Sequence, residues 1–143
     1  AKIIHVQRQP LDQLLSAWKS RFQKGHTYTL ELEDLVKVYI AYKDLMGFWN
    51  KELGSKIYTC KYEELVRNPL AKTKELAQHC GLQWTEKMLY PQYSKLSIKT
   101  ASYKQVREPI NDNSINNWRN YEIKLKPYIQ ALINEGIIDL KSI

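Results

Sequence analysis

Residues 2–16 read Lys2-Ile-Ile-His-Val-Gln-Arg8-Gln-Pro10-Leu-Asp12-Gln-Leu-Leu-Ser16, and this stretch decides the fold class. Its first part, Lys2 to Gln7, carries Ile3, Ile4 and Val6, a β-branched run too short to make a helix of its own. Pro10 has the fixed φ of a first helical position, and Leu11, Leu14, Leu15, Trp18 and Phe22 then recur at helical spacing. A strand therefore turns straight into an amphipathic helix. Arg8 stands at the carboxyl end of that strand, beside a helix amino terminus whose free N–H groups favour an anion. Ser16, about two turns into the helix, could add a hydroxyl donor. The plainer reading of the same residues is a helix start with a surface arginine, ion-paired to Asp12.

Further along, Lys56 to Lys61 is a second β-prone stretch, followed by Tyr62-Glu-Glu-Leu-Val-Arg67-Asn68-Pro69. Asn68 and Pro69 have the chemistry of a helix cap and first helical position, and Gly81 is placed to close that helix. From Glu31 to Leu53, the residues Leu32, Leu35, Tyr39, Tyr42, Met46, Trp49 and Leu53 alternate spacings of three and four. They form one apolar stripe on a long helix, expected to bury against a sheet, with Gly54 at its end. Leu82 to Ile98 has no clear period and reads as irregular structure or short helix. A last helix is expected from near Ser114, carrying Ile115, Trp118, Tyr121 and Leu125, split or kinked at Pro127 and ended by Gly136.

The arrangement Arg8-x-Pro10-x-Asp12-x-x-x-Ser16 resembles the 3′-phosphate-binding segment of sulfotransferases that use 3′-phosphoadenosine 5′-phosphosulfate (PAPS). Tyr62-Glu-Glu-Leu after a strand is similar to the segment whose tyrosine lies near the adenine in that family. Thr100-Ala-Ser102-Tyr-Lys-Gln105-Val106-Arg107-Glu-Pro109-Ile110, followed by Ser114, Trp118-Arg119 and Tyr121, looks like the carboxyl-terminal signature of bacterial sulfotransferases, including those fused to tetratricopeptide repeats. The resemblance runs from Lys2 to about Leu132. It implies an α/β fold, part of a P-loop-like parallel sheet flanked by helices, with a helix-rich carboxyl-terminal half. It implies PAPS as sulfuryl donor, its bisphosphate PAP as product, and a hydroxyl or amine acceptor. Arg8, Ser16 and Arg107 would hold the 3′-phosphate, with Ser102 in the covering loop and Tyr62 near the adenine.

The five glycines (Gly25, Gly47, Gly54, Gly81, Gly136) make no phosphate-loop pattern. The family's 5′-phosphosulfate loop is absent, and so is the region where its members place a catalytic base. Residues 1–143 are therefore expected to be the carboxyl-terminal portion of a single sulfotransferase domain, inactive alone and completed by an amino-terminal segment or a complementing chain; no catalytic residue can be assigned within it. In P-loop folds of the usual order, the phosphate-loop strand lies between two others, by analogy those at Ile3 and Ile57. The sheet is thus expected to carry an unfilled slot with unpaired backbone groups.

Composition excludes several classes. Hydrophobic content of 43% and charged content of 26% are those of a globular fold. No apolar run reaches the length of a membrane span and no signal peptide is visible, so a cytoplasmic location is expected. Cys60 and Cys80 fit reduced, buried thiols, and nothing has metal-ligand spacing. Lys plus Arg is 22 against 15 for Asp plus Glu, a net charge of +7 that attracts polyanions in general. The basic residues are dispersed and no nucleic-acid-binding motif is present, so nucleic acid is not the expected partner. The alternative to a sulfotransferase is a non-enzymatic nucleotide- or polyanion-binding module regulating a partner.

For single residues the plainer readings stand beside the functional ones. Tyr62 could be core packing, Arg107 a solvent-exposed loop arginine, and Ser102 an ordinary turn former. Trp118 reads as packing and Arg119 as a secondary phosphate contact. His5 reads as structural, and His26 and His79 have no partner visible in the sequence.

Overall fold

The computed structural model describes residues 1–20, 22, 25–94 and 103–139. Their order is β1 (Ile3–Gln7), α1 (Pro10–Ser20), α2 (Leu32–Leu53), β2 (Ile57–Lys61), α3 (Tyr62–Arg67), α4 (Pro69–Cys80), α5 (Tyr103–Val106) and α6 (Glu122–Asn134). Short 3₁₀ turns fill Thr27–Thr29, Gly54–Lys56, Glu86–Leu89, Pro91–Tyr93 and Asn117–Tyr121. The result is a helix-rich α/β chain with a small parallel sheet. It divides into two compact units, Ala1–Arg8 with Ser55–Ile115, and Gln9–Gly54 with Asn116–Ile143.

In the first unit β1 and β2 pair directly and in parallel, from Ile3 opposite Ile57 to Gln7 opposite Lys61. The slot expected between them is therefore not there. Pairing the two strands gives the facing edge of each its hydrogen-bond partners, which an empty slot would have denied both. Their outer surfaces stay open: Ile3, Ile4 and Val6 are 40, 43 and 61% exposed. Buried residues here are few, chiefly Cys60, Thr73 and Ala77.

α3 and α4 pack on β2. Asn68 caps α4 as expected, its Oδ1 accepting the Ala71 N–H, and Pro69 opens the helix. At the other end Gly81 takes the left-handed conformation, φ +69. That lets Leu82 N–H reach Ala77 O at 2.8 Å and Gly81 N–H reach Gln78 O at 3.0 Å, closing the orphan carbonyls. Trp84 Nε1 donates to Thr73 Oγ1 at 3.0 Å and pins the irregular segment that follows.

The second unit holds the main core: Leu11, Leu14 and Leu15 of α1, Leu32, Leu35, Val36 and Tyr39 of α2, with Trp118, Leu125, Leu132 and Ile138. The apolar stripe on α2 was expected to face a sheet; its partners are helices, α1 and α6. Full burial is also confined to the amino-terminal half of α2, at Leu32, Leu35, Val36 and Tyr39, while Trp49 further along the stripe is 40% exposed.

The last helix starts later than its apolar spacing predicts. Asn116 adopts φ +60, a 3₁₀ turn covers Asn117–Tyr121, and α6 begins only at Glu122. The cause lies far off in sequence. Asp12, 1% exposed, accepts Asn116 N–H at 2.7 Å and Trp118 N–H at 3.0 Å, one on each carboxylate oxygen. Nor does Pro127 split α6, which runs through it to Asn134. Its missing N–H orphans the carbonyl of Ile123, and Ile123 is 93% exposed, so water can serve that group.

Candidate functional site: a braced arginine at the end of β1

Arg8 follows the last residue of β1 and is held on two sides within the first unit. One terminal guanidinium nitrogen, Nη2, donates to the Ser114 carbonyl at 2.6 Å. The guanidinium carbon lies 5.0 Å from the centre of the Tyr62 ring. Nε is buried and meets no acceptor among the described residues. No carboxylate among the described residues of the first unit pairs with Arg8, while both oxygens of Asp12, the partner that the sequence allows, accept backbone N–H groups within the second unit. A partly buried cation with an unmet donor, and no carboxylate partner among the described residues, is suited to an oxyanion.

Tyr62 and Ser114, the two residues that brace Arg8, also line a groove of about 490 Å³. Its wall is apolar at Leu65, Val66 and Ile110, with amides from Gln105 and Asn111 and one carboxylate, Glu108, among its lining. The size and the mix of apolar surface with a few polar groups suit a small planar ligand.

The sequence-derived candidates fare unequally. Arg8 and Tyr62, 54 residues apart, are brought into contact. Arg107 lies half-buried in the turn directly after α5, engaged in contacts of its own. Ser16 is exposed on α1, in the second unit. Ser102 lies outside the described residues. One expectation about the helix end needs correction. Pro10 has no N–H, and the Asp12 N–H is taken by Gln9 Oε1 at 2.8 Å. The first turn of α1 thus has little to give an anion.

Sequence reasoning missed two parts of this arrangement. The Ser114 contact is made through a backbone carbonyl, so no side-chain pattern could reveal it. Asp12 stood in the quoted motif, yet its role as acceptor for residues 116 and 118 had no local signal. The histidines are mostly structural in setting: His26 Nδ1 lies 3.1 Å from the Tyr28 hydroxyl, and His79 packs on Tyr58 with ring centres 5.5 Å apart.

Around β2 a polar network fixes the strand against its helices. Lys72 Nζ bridges Glu64 at 2.9 Å and Glu75 at 3.1 Å, and Tyr58 donates to Glu75 at 2.6 Å. Lys72 and then Lys61 hold the Glu64 carboxyl below its ordinary value, and Tyr58 and then Lys72 do so for Glu75. Burial, with Glu75 second, pushes the Tyr58 phenol up to about 12. Burial also raises the Cys60 thiol, so it is no ready nucleophile; Cys60 and Cys80 are both free. No helix among the described residues is long and apolar enough to cross a membrane.

Comparison with known proteins bears on this geometry. Residues 1–86, which carry β1, Arg8 and Tyr62, match a family model described as the sulfotransferase family. An uncharacterized protein of Aquifex aeolicus (strain VF5) is 33% identical over 144 residues, covering 99% of this chain and 19% of its own length. Cytosolic sulfotransferase 16 of Arabidopsis thaliana is 27% identical over 118 residues, covering 74% of this chain and 35% of its own length. The chain thus spans about a fifth and about a third of these two relatives. With the family match extending over more than half its residues, the chain belongs to the sulfotransferase family.

Proposed function

We propose that this chain is the nucleotide-binding part of a PAPS-dependent sulfotransferase of bacterial type, transferring a sulfuryl group to a hydroxyl or amine acceptor. Arg8 is the principal ligand of the donor's 3′-phosphate. Ser16, Ser102 and Arg107 are the further nucleotide contacts that the motifs imply, and Tyr62 lies near the adenine. The single observation that carries this reading is the state of Arg8: braced by the Ser114 carbonyl and the Tyr62 ring, with a buried Nε and no carboxylate partner among the described residues. These residues fit a phosphate monoester, whose oxygens accept from a guanidinium through paired hydrogen bonds. PAPS supplies the activated sulfuryl group. This chain's contribution is to grip and orient its nucleotide end, while the 5′-phosphosulfate contacts and the catalytic base come from outside residues 1–143. The fold is read as part of a P-loop-like sheet, and residues 1–143 as the carboxyl-terminal portion of one such domain.

The test is calorimetric titration with adenosine 3′,5′-bisphosphate and with 5′-AMP at fixed salt, on wild type, Arg8→Ala and Arg8→Lys. Clear preference for the bisphosphate is expected, weakened about 10- to 100-fold in Arg8→Ala, as for loss of a charge-assisted pair. Lysine restores only part, because it offers a point charge without the planar fork. Equal binding of the two nucleotides by folded protein refutes the assignment and leaves the non-enzymatic polyanion-binding reading, which the charge of +7 favours.

A further inference from the structure

A second groove, of about 970 Å³, lies in the second unit along the 3₁₀ turn Asn117–Tyr121 and α6. Arg119, Lys124 and Lys126 line it, with Glu122 as the acidic residue among its lining. None of these three cations has a carboxylate partner among the described residues. Two are steadied by rings instead: Arg119 lies 4.8 Å from the Trp118 ring centre and Lys124 lies 4.4 Å from that of Trp18. Such stacking orders the side chain while leaving its N–H donors unspent. The amino end of α6 adds to the positive field, since Tyr121 at its cap makes no side-chain capping bond. A further donor is unused: Trp118 is 2% exposed and its Nε1 has no acceptor among the described residues.

The apolar side of the groove decides what kind of anion it suits. Ile123 is 93% exposed, and Ile129 and Ile133 continue the lining along the helix. A bare polyanion, whether sulfated sugar or nucleic acid, gains nothing from isoleucine side chains. A peptide that interleaves acidic with apolar residues uses both surfaces. From residue 122 to 133 α6 rises about 17 Å, the length of about five extended residues.

We propose that this groove is a docking site for an acidic, amphipathic peptide segment. Its carboxylates meet Arg119, Lys124 and Lys126, and its apolar side chains lie on Ile123, Ile129 and Ile133. The site is independent of the nucleotide-binding reading and stands or falls without it.

The test is fluorescence anisotropy at physiological salt with a fluorescein-labelled nonapeptide of alternating glutamate and leucine. Competitors are an all-glutamate peptide, a sulfated oligosaccharide and phosphatidylserine vesicles. The glutamate–leucine peptide is expected to bind at least about tenfold more tightly than the all-glutamate one. Lys124→Glu/Lys126→Glu should weaken it by about tenfold or more, and so should Ile123→Ser, whose exposed position cannot disturb folding. Lys37→Glu/Lys51→Glu, the same charge change on the exposed face of α2, should leave it unchanged. Equal loss in that control, equal binding of the all-glutamate peptide, or preferential binding of the oligosaccharide or vesicles through the same residues overturns the proposal. Titration of adenosine 3′,5′-bisphosphate against the same variants keeps the two sites distinguishable: its binding should be unmoved.

Discussion

Removing the Asp12 carboxylate should unravel the start of the last helix and cost a large share of the stability of the protein. Asp12 is 1% exposed and its two oxygens serve two backbone donors, Asn116 N–H at 2.7 Å and Trp118 N–H at 3.0 Å. A hydrogen bond to a charged group contributes roughly 1.5–3 kcal/mol, and a buried donor left without an acceptor carries its full desolvation cost. Asp12→Ala abandons both donors, so a loss of roughly 3–5 kcal/mol is expected. Asp12→Asn is the gentler probe: its carbonyl oxygen keeps one bond, while its amide turns a donor toward the other N–H, for roughly 2–3 kcal/mol. Urea unfolding followed by tryptophan fluorescence reads the difference. With a slope of about 2 kcal/mol per molar, the Asp12→Ala midpoint should fall by about 2 M, and that of Asp12→Asn by about 1 M. Ser16→Ala, on the exposed side of α1, should move it by less than about 0.3 M. The reasoning is refuted if Asp12→Asn unfolds at the wild-type midpoint with an unchanged slope.

The network at β2 predicts a stability plateau with two shoulders. Glu64 and Glu75 have folded carboxyls held below the ordinary 4.5, so their contribution is present above that pH and is lost as pH falls through the lowered values; Lys72→Met should flatten this acid limb. Tyr58 is raised from 10.0 to about 12, so its contribution is present below pH 10 and lost as pH rises toward 12; Tyr58→Phe should flatten the alkaline limb, with thermal melts across pH reading both. Leu125→Ala, at a fully buried position in the second unit, should cost roughly 2–5 kcal/mol in the same urea assay, and a loss under about 1 kcal/mol would show that the helices do not share that core. Gly81→Ala, at φ +69, should cost about 1 kcal/mol, whereas an unchanged midpoint would mean that α4 can end without the left-handed turn.

Much of the chain was legible because its signals are local. The β-branched runs at Ile3 and Ile57 form strands, since a short run of that kind fits an extended backbone whatever it pairs with. Asn68, Pro69 and Gly81 bound α4 because capping depends on side chains and φ values within a few residues. Gly136 ends α6 in the same way, with Ile137 N–H on Leu132 O at 2.9 Å. The pairing of Arg8 with Tyr62 was readable only as a resemblance, through motifs whose spacing stands for a fold.

What failed to show in the sequence was set by partners distant along the chain. Strand identity is local, but strand neighbours are not: nothing in Ile3–Gln7 says that it lies directly beside Ile57–Lys61, and only the register of the sheet decides it. Apolar spacing marks the stripe on α2 but not whether a sheet or the helices α1 and α6 will cover it, since burial asks only for apolar surface. Asp12 gives the sharpest case. Composition and spacing make it a first-turn acid on α1, yet its buried carboxylate fixes where a helix more than a hundred residues later begins. Residue order alone was enough to say which segments extend and which coil, where α4 is capped, and which family they belong to. Which backbone donors Asp12 satisfies, and which carbonyl and ring brace Arg8, was settled only by folding in three dimensions, because hydrogen bonds and ring contacts depend on groups meeting at close range.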